Sequence, residues 1–119
     1  MQLTKDELKG LKNIVERIPQ FEEKIGVRLE NISFSNTEFD FNIHGDFLMD
    51  ELDNFDKYFS IDIWATIYDQ DNDILASEST TIFKEDFLGF ETFTISIFSE
   101  EMDLKCIERI KVYVKPCSL

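Results

Sequence analysis

His44 is the sole histidine of this 119-residue chain, and it stands in an Ile43-His44-Gly45-Asp46 segment, where an imidazole could act as a general base. No serine or cysteine can be placed beside it from sequence, so the nucleophile such a base would serve is missing and His44 reads as a satisfied or surface residue. Zinc needs three or four ligands at workable spacings, and the remaining soft donors are only the distant Cys106 and Cys117. Gly10, Gly26, Gly45 and Gly89 lie at least sixteen residues apart, which excludes a glycine-rich phosphate loop and with it P-loop, kinase and dinucleotide chemistry. Carboxylates remain. Glycoside hydrolysis would set two of them across a cleft that so short a chain seldom builds, so the expectation is no enzyme, no cofactor and no dedicated metal site.

The carboxylates are informative in another way. The chain carries 12 basic and 25 acidic side chains, a formal net charge of −13, and the excess is concentrated: residues 29 to 83 hold one basic side chain against thirteen acidic ones. Clustered Lys and Arg are what neutralise phosphates, so nucleic acid and an anionic membrane surface are both poor partners for such a chain. Asp69, Asp71 and Asp73 alternate like the start of a calcium loop, but Ile74 stands where glycine is needed and Thr80 where glutamate is needed, so an EF-hand is excluded. A solvated hairpin turn is the simpler reading of that stretch. A calcium site shared among Asp-rich loops at the tip of a sandwich is the alternative.

The elements that position these groups follow from periodicity. Thr4 with Glu7 three residues later is a capping box, and Leu8, Leu11, Val15 and Ile18 then recur at helical spacing until Pro19, predicting one amphipathic helix over residues 4–18. From Gly26 onward the pattern alternates. Strands are expected at 27–35, 38–47, 58–68, 74–84, 90–98 and 106–115. The first is bulged at Glu30 and Asn31, where the apolar parity switches from Val27 and Leu29 to Ile32 and Phe34. Phe39, Phe41 and Ile43 are expected to share one face of the second. Residues 58–68 form the central strand, with Phe59, Ile61, Ile63, Ala65 and Ile67 facing in and Tyr58, Trp64 and Tyr68 facing out, where the helix stripe is expected to dock. The Ser/Thr-rich strand with Glu78 reads as an edge through which copies could pair, and Ile110, Val112 and Val114 face in on the last.

Turns too short for crossover helices require antiparallel pairing. The expected fold is therefore a mainly β, antiparallel immunoglobulin-like β-sandwich of about six strands with one N-terminal amphipathic helix, a single domain over 1–119 with the sandwich at 27–115. A single curved sheet covered by the helix is the alternative. No apolar run reaches the roughly 20 residues needed to cross a bilayer, and charges at Lys5, Asp6 and Glu7 interrupt the place of a signal peptide's apolar region, so the default address is cytoplasmic. Both cysteines are expected to be free.

Strand reversal gathers the acids into two poles: Asp46, Asp50, Glu51, Asp53, Asp56, Glu85 and Asp86 at one end, and Asp69, Asp71, Asp73, Glu100, Glu101 and Asp103 at the other. Like-charge crowding at each pole invites a cation or a basic surface. Leu48, Leu52, Phe55 and Phe59 fall at i, i+4, i+7 and i+11, so the connection between the second and third strands either plugs the end of the sandwich, the favoured role, or presents apolar anchors to a partner. The candidate partner-binding set is Asp50, Glu51, Asp53, Phe55, Asp56, Glu85 and Asp86. The expected function is a small acidic module that binds a basic protein as an inhibitor, immunity-type or adaptor protein. A calcium-binding sandwich and a self-associating structural domain are the alternatives.

The stretch SIDIWATIYDQDNDILA (Ser60 to Ala76), followed after two more strands by RIKVYVK, resembles the FxLYD-type modules, immunoglobulin-like sandwiches in which a strand ends in a Tyr-Asp turn. The resemblance covers roughly residues 27–115. It implies the sandwich fold and no catalytic residue. The chain is expected to depart from it in lacking an export signal and in placing a helix in front.

Overall fold

The computed structural model describes residues 2–98, 100 and 102–118, which fold into two facing sheets. Three strands, β2 (Val27–Asn36), β3 (Asp40–Met49) and β6 (Phe90–Phe98), form one sheet in the order β2-β3-β6. The other runs β1 (Val15–Arg17), β7 (Arg109–Ser118), β4 (Tyr58–Tyr68), β5 (Ile74–Phe83). Every pairing is antiparallel except β1 with β7. The chain crosses between sheets after β1, β3, β5 and β6 and makes a hairpin only at β2–β3 and β4–β5, the Greek-key connectivity of immunoglobulin-like sandwiches.

Alternation decides what is inside. Phe41, Ile43, Phe47 and Met49 of β3 face Ile61, Ile63, Ala65 and Ile67 of β4, and all eight are essentially inaccessible. Ile95 and Ile97 extend the first layer, and Ile110, Val112 and Val114 the second. Gly45 interrupts the inward row of β3 because the Phe93 ring lies over it: an added Cβ would come within 2.5 Å of Phe93 Cζ. The bulge predicted in β2 is present, with the β2–β3 register shifting between Glu30 and Ser33 and Asn31 at φ 55°. Glu78 lies in register with Ala65, on the inward side of edge strand β5, yet is exposed, a charge that discourages a further strand from pairing there.

Two apolar positions turn out rather than in. Phe59 is exposed because the β4–β7 register shifts between Tyr58 and Ser60, which buries Ser60 instead. Phe39 lies outside β3 in a turn whose Thr37 Oγ1 accepts the N–H groups of Phe39 and Asp40.

The N-terminal expectation of one helix to residue 18 is corrected. The capping box at Thr4 and Glu7 is formed, but α1 covers only Lys5–Gly10, and a 3-10 turn over Leu11–Ile14 leads into β1. Gly10 and Asn13 weaken the helix, while Ile14 and Val15 are β-branched and favour extended backbone. The exposed edge of β7 supplies the decisive pairing, with Val15 opposite Ile110 and Arg17 opposite Val112. Pro19 then opens a second helix, α2 (Pro19–Ile25), closed by Gly26 at φ 82°. The helix does not dock on the Tyr58, Trp64 and Tyr68 face: α1 packs against β2, and α2 bridges β2 and β7.

Arg17 and Glu22 complete the side of the sandwich. Glu22 is 93% buried at its residue, and its Oε1 accepts the Leu29 N–H at 3.2 Å, while the Arg17 guanidinium donates to the Leu29 carbonyl. Two side chains thus satisfy backbone groups on the outer edge of β2 that a neighbouring strand would otherwise take. The second carboxylate oxygen of Glu22 has no hydrogen bond and lies 3.9 Å from Arg17 Nε.

β1 is also clamped from the outside by Arg109, whose Nε donates to Glu16 at 2.7 Å. This hydrogen bond is the main cause that holds the Glu16 carboxyl below its ordinary value of 4.5, with the charges of Arg109 and Lys111 adding and burial opposing. A lowered folded-state value means the pair's contribution is complete above that ordinary value and fades as pH falls through the folded one. Glu16→Gln should therefore lower stability at neutral pH, with the gap from the parent protein closing in acid. Urea denaturation at about pH 7 and about pH 3 measures this, and a gap of the same size at both would contradict the clamp.

Candidate functional site

The strands reverse as expected, so loops 50–57 and 84–89 meet at one end of the sandwich and turn 69–73 meets residues 105–108 at the other. The first pole is built on β3, which delivers Asp50 and Glu51, and on a 3-10 segment over Leu52–Lys57 that turns the chain toward β4. Phe55 is the anchor of that segment. It is 2% exposed and packs against Phe87, ring centroids 5.6 Å apart, and Phe87 in turn lies edge-on to Phe47 at 5.3 Å. The expectation that Phe55 offers itself to a partner is corrected: it closes the end of the core. A large ring is the group with enough area to seal that opening.

The acids of this pole divide into two kinds. Asp50 accepts from Arg28 at 2.9 Å and Asp56 pairs with Lys84 at 3.2 Å, so both already have a cation of their own chain. The Arg28 guanidinium is correspondingly stabilised in its charged form, first by its hydrogen bond to Asp50. Asp46 lies off the pole, on the outer face of β3, where Asn31 Nδ2 donates to it at 2.7 Å. Glu51, Asp53, Glu85 and Asp86 are exposed and have no ion pair within 4.0 Å among the described residues.

The same loops also expose large apolar side chains. Gly89 adopts φ 107°, a conformation that turns the chain sharply, and its N-terminal neighbour Leu88 is 89% exposed. Leu52 folds over Gly89, its Cδ2 3.8 Å from where a Cβ would stand, and remains 47% exposed. Phe90 follows at 55% exposed. The Gly89 carbonyl accepts the Met49 N–H at 3.0 Å, which ties the two loops together and fixes the patch. Of the predicted apolar stripe, Leu52 belongs to it, and Leu48 lies in register with Phe90. Leu88 escapes detection from sequence because no period governs a loop, and Phe90 because it opens β6 on the outer face; the signal available was three large apolar residues crowded around one glycine in Phe87-Leu88-Gly89-Phe90.

At the opposite pole Asp69, Asp71 and Asp73 bring one carboxylate oxygen each to within 4.8 Å of the others. Asp69 Oδ1 accepts the N–H groups of Asp71 and Asp73 at 2.9 and 3.0 Å, so this side chain braces the tight turn. Asn72, at φ 64°, receives Arg109 Nη1 at 2.8 Å. Glu101 lies outside the described residues. The negative field is felt by Cys106, whose thiol is pushed up first by the charge of Asp103 and then by burial, which keeps it protonated and a poor nucleophile. Cys106 and Cys117 are both free and exposed.

His44 sits midway along the outer face of β3. Its ring nitrogens contact Ser35 Oγ at 2.7 Å and Thr94 Oγ1 at 2.9 Å, within a row of polar side chains that also joins Ser96 to Asn42 at 2.7 Å. A serine is thus beside the imidazole after all. The third member is a threonine hydroxyl where a catalytic triad has a carboxylate.

No protein-family model matches the chain, and no curated protein matches it. Among solved structures, a DUF1425 family member from Shewanella sp. pv-4 is similar at a TM-score of 0.44 and 13% identity, over 75% of this chain and 76% of that one. No helix among the described residues is long and apolar enough to cross a membrane.

Phe55→Ala should remove about 3–5 kcal/mol of stability, the range for truncating a buried ring, because it leaves a cavity beside Phe87 at the end of the core. Chemical denaturation measures it; a loss under about 1 kcal/mol would mean that the ring is a surface group.

Proposed function

We propose that the chain is a small, non-enzymatic interaction module that docks a basic protein partner on the pole formed by loops 50–57 and 84–89, in the manner of an inhibitor, immunity-type or adaptor protein. The observation that supports this reading is that the two loops and the start of β6 expose Leu52, Leu88 and Phe90 and also carry Glu51, Asp53, Glu85 and Asp86, four carboxylates without an ion pair among the described residues. Interfaces of this build combine an apolar centre, which supplies the gain from desolvation, with a charged rim, which steers the encounter and excludes partners of like charge. A basic surface around an apolar tip is the complement. Lys57 is the exposed cation of the same loop, and Arg28 and Lys84 are occupied by Asp50 and Asp56. The FxLYD-type resemblance implies no catalytic residue, and the cytoplasm remains the compartment this reading assumes.

Two variants separate the parts. The quadruple change Glu51→Gln, Asp53→Asn, Glu85→Gln, Asp86→Asn should slow association with basic proteins by about tenfold or more at low salt and flatten the dependence on ionic strength. Leu88→Asp should leave the association rate nearly unchanged and speed dissociation. The immobilised chain, challenged with host lysate at low and then moderate salt, should retain basic proteins that elute early and that neither variant holds. Identical retention by parent and variants would reject the pole as the docking surface.

A further inference from the structure

A second surface has the opposite chemistry. Helix α2 lies against the C-terminal half of β7, and between them runs a groove of about 380 Å³ lined by Phe21, Lys24, Ile25, Tyr113, Val114, Lys115 and Pro116. Its walls are apolar: the Phe21 ring stands edge-on to Tyr113 with centroids 6.5 Å apart, and Phe21 is 44% exposed. Its only charges are two lysines, and neither Lys24 nor Lys115 has a carboxylate within 4.0 Å among the described residues. Lys115 Nζ instead lies 6.0 Å from the ring centroid of Trp64, the one tryptophan of the chain.

We propose that this groove binds an anionic amphiphile, a small molecule with a carboxylate at one end and an aliphatic tail. Lys24 and Lys115 receive the carboxylate, and the tail lies along Phe21 and Pro116, over the buried floor of Ile25 and Val114. Charge complementarity selects this occupant. The exposed apolar side chains at the end of the sandwich share their loops with carboxylates, whereas this groove joins apolar walls to cations, so an acid is favoured and an amine is not. The volume falls within the range of small-molecule sites, and a few polar groups on an apolar lining is how such sites fix orientation. The chain's overall negative charge does not override this, because attraction at contact acts well inside the screening length of about 8 Å at physiological salt. Asp62 is the carboxylate in register with Lys115, and its Oδ1 is already bonded by Thr81 at 2.8 Å.

Trp64 supplies the readout. Dodecanoate, added below its micelle concentration, should change Trp64 fluorescence saturably, and calorimetry should give the same affinity. Dodecyltrimethylammonium, with the same tail and opposite charge, should bind at least about tenfold more weakly. Lys24→Gln and Lys115→Gln, both surface changes, should each weaken dodecanoate by a similar factor while leaving the melting temperature unchanged. Phe21→Ala should weaken both amphiphiles. Equal affinity for the two headgroups, or lysine variants that bind as well as the parent, would overturn the proposal. So would a dimer in light scattering that dodecanoate fails to dissociate and the lysine variants abolish, since the groove would then belong to a second copy.

Discussion

The inward rows of β3 and β4 must be buried against each other, and almost every other feature follows from that requirement. Phe41, Ile43 and Phe47 on one side and Ile61, Ile63 and Ile67 on the other leave no room for a charge between the sheets, so acidic side chains on alternating strands are driven to the outer faces and the loops. Hydrophobic burial thereby sorts charge. Because each crossover reverses the chain, the loops collect at two ends of a molecule 43 Å long, several screening lengths apart. The charge of each end is felt locally, and the chain can present chemically different surfaces at its ends and flank.

A sandwich of this kind leaves strand edges open, and the N-terminal segment deals with two of them at once. β1 covers the edge of β7 with backbone hydrogen bonds, while Arg17 and Glu22 cover the edge of β2 with side-chain ones. Placing Glu22 in so buried a position is tolerated because one oxygen receives a backbone N–H and the other faces Arg17. The same segment positions α2 beside β7 and so creates the lysine-lined groove. Edge protection and the second surface therefore share one cause.

Strand positions were legible in the sequence because period 2 is unambiguous over ten residues of alternating Ile, Phe, Thr and Ser, and the β2 bulge was legible because it shifts parity. The N-terminal segment was not. Leu8, Leu11, Val15 and Ile18 keep helical spacing, but three residues of it serve a parallel pairing with a strand some ninety-five positions away in the chain, and local periodicity carries no information about such a partner. Phe59 and Phe39 turned outward for a related reason: a register slip and a Thr37 turn reset the alternation locally. The acidic pole was legible as a collection of charges. Its exposed apolar side chains were not, since Leu52 meets Gly89 only through the folding of two loops, and the neutralisation of Asp50 and Asp56 depends on Arg28 and Lys84 reaching across from other elements.

Everything said of that pole requires four carboxylates, without an ion pair among the described residues, to be held at one end of the sandwich against their mutual repulsion. The direct measurement is the melting temperature across sodium chloride concentration for the parent protein and for the variant in which Glu51, Asp53, Glu85 and Asp86 are made Gln or Asn. The parent should gain stability with salt, and the variant should melt higher at low salt and respond less to salt. A variant that melts lower at low salt, with the parent's salt response intact, would show that these carboxylates are compensated within the fold and would contradict the account.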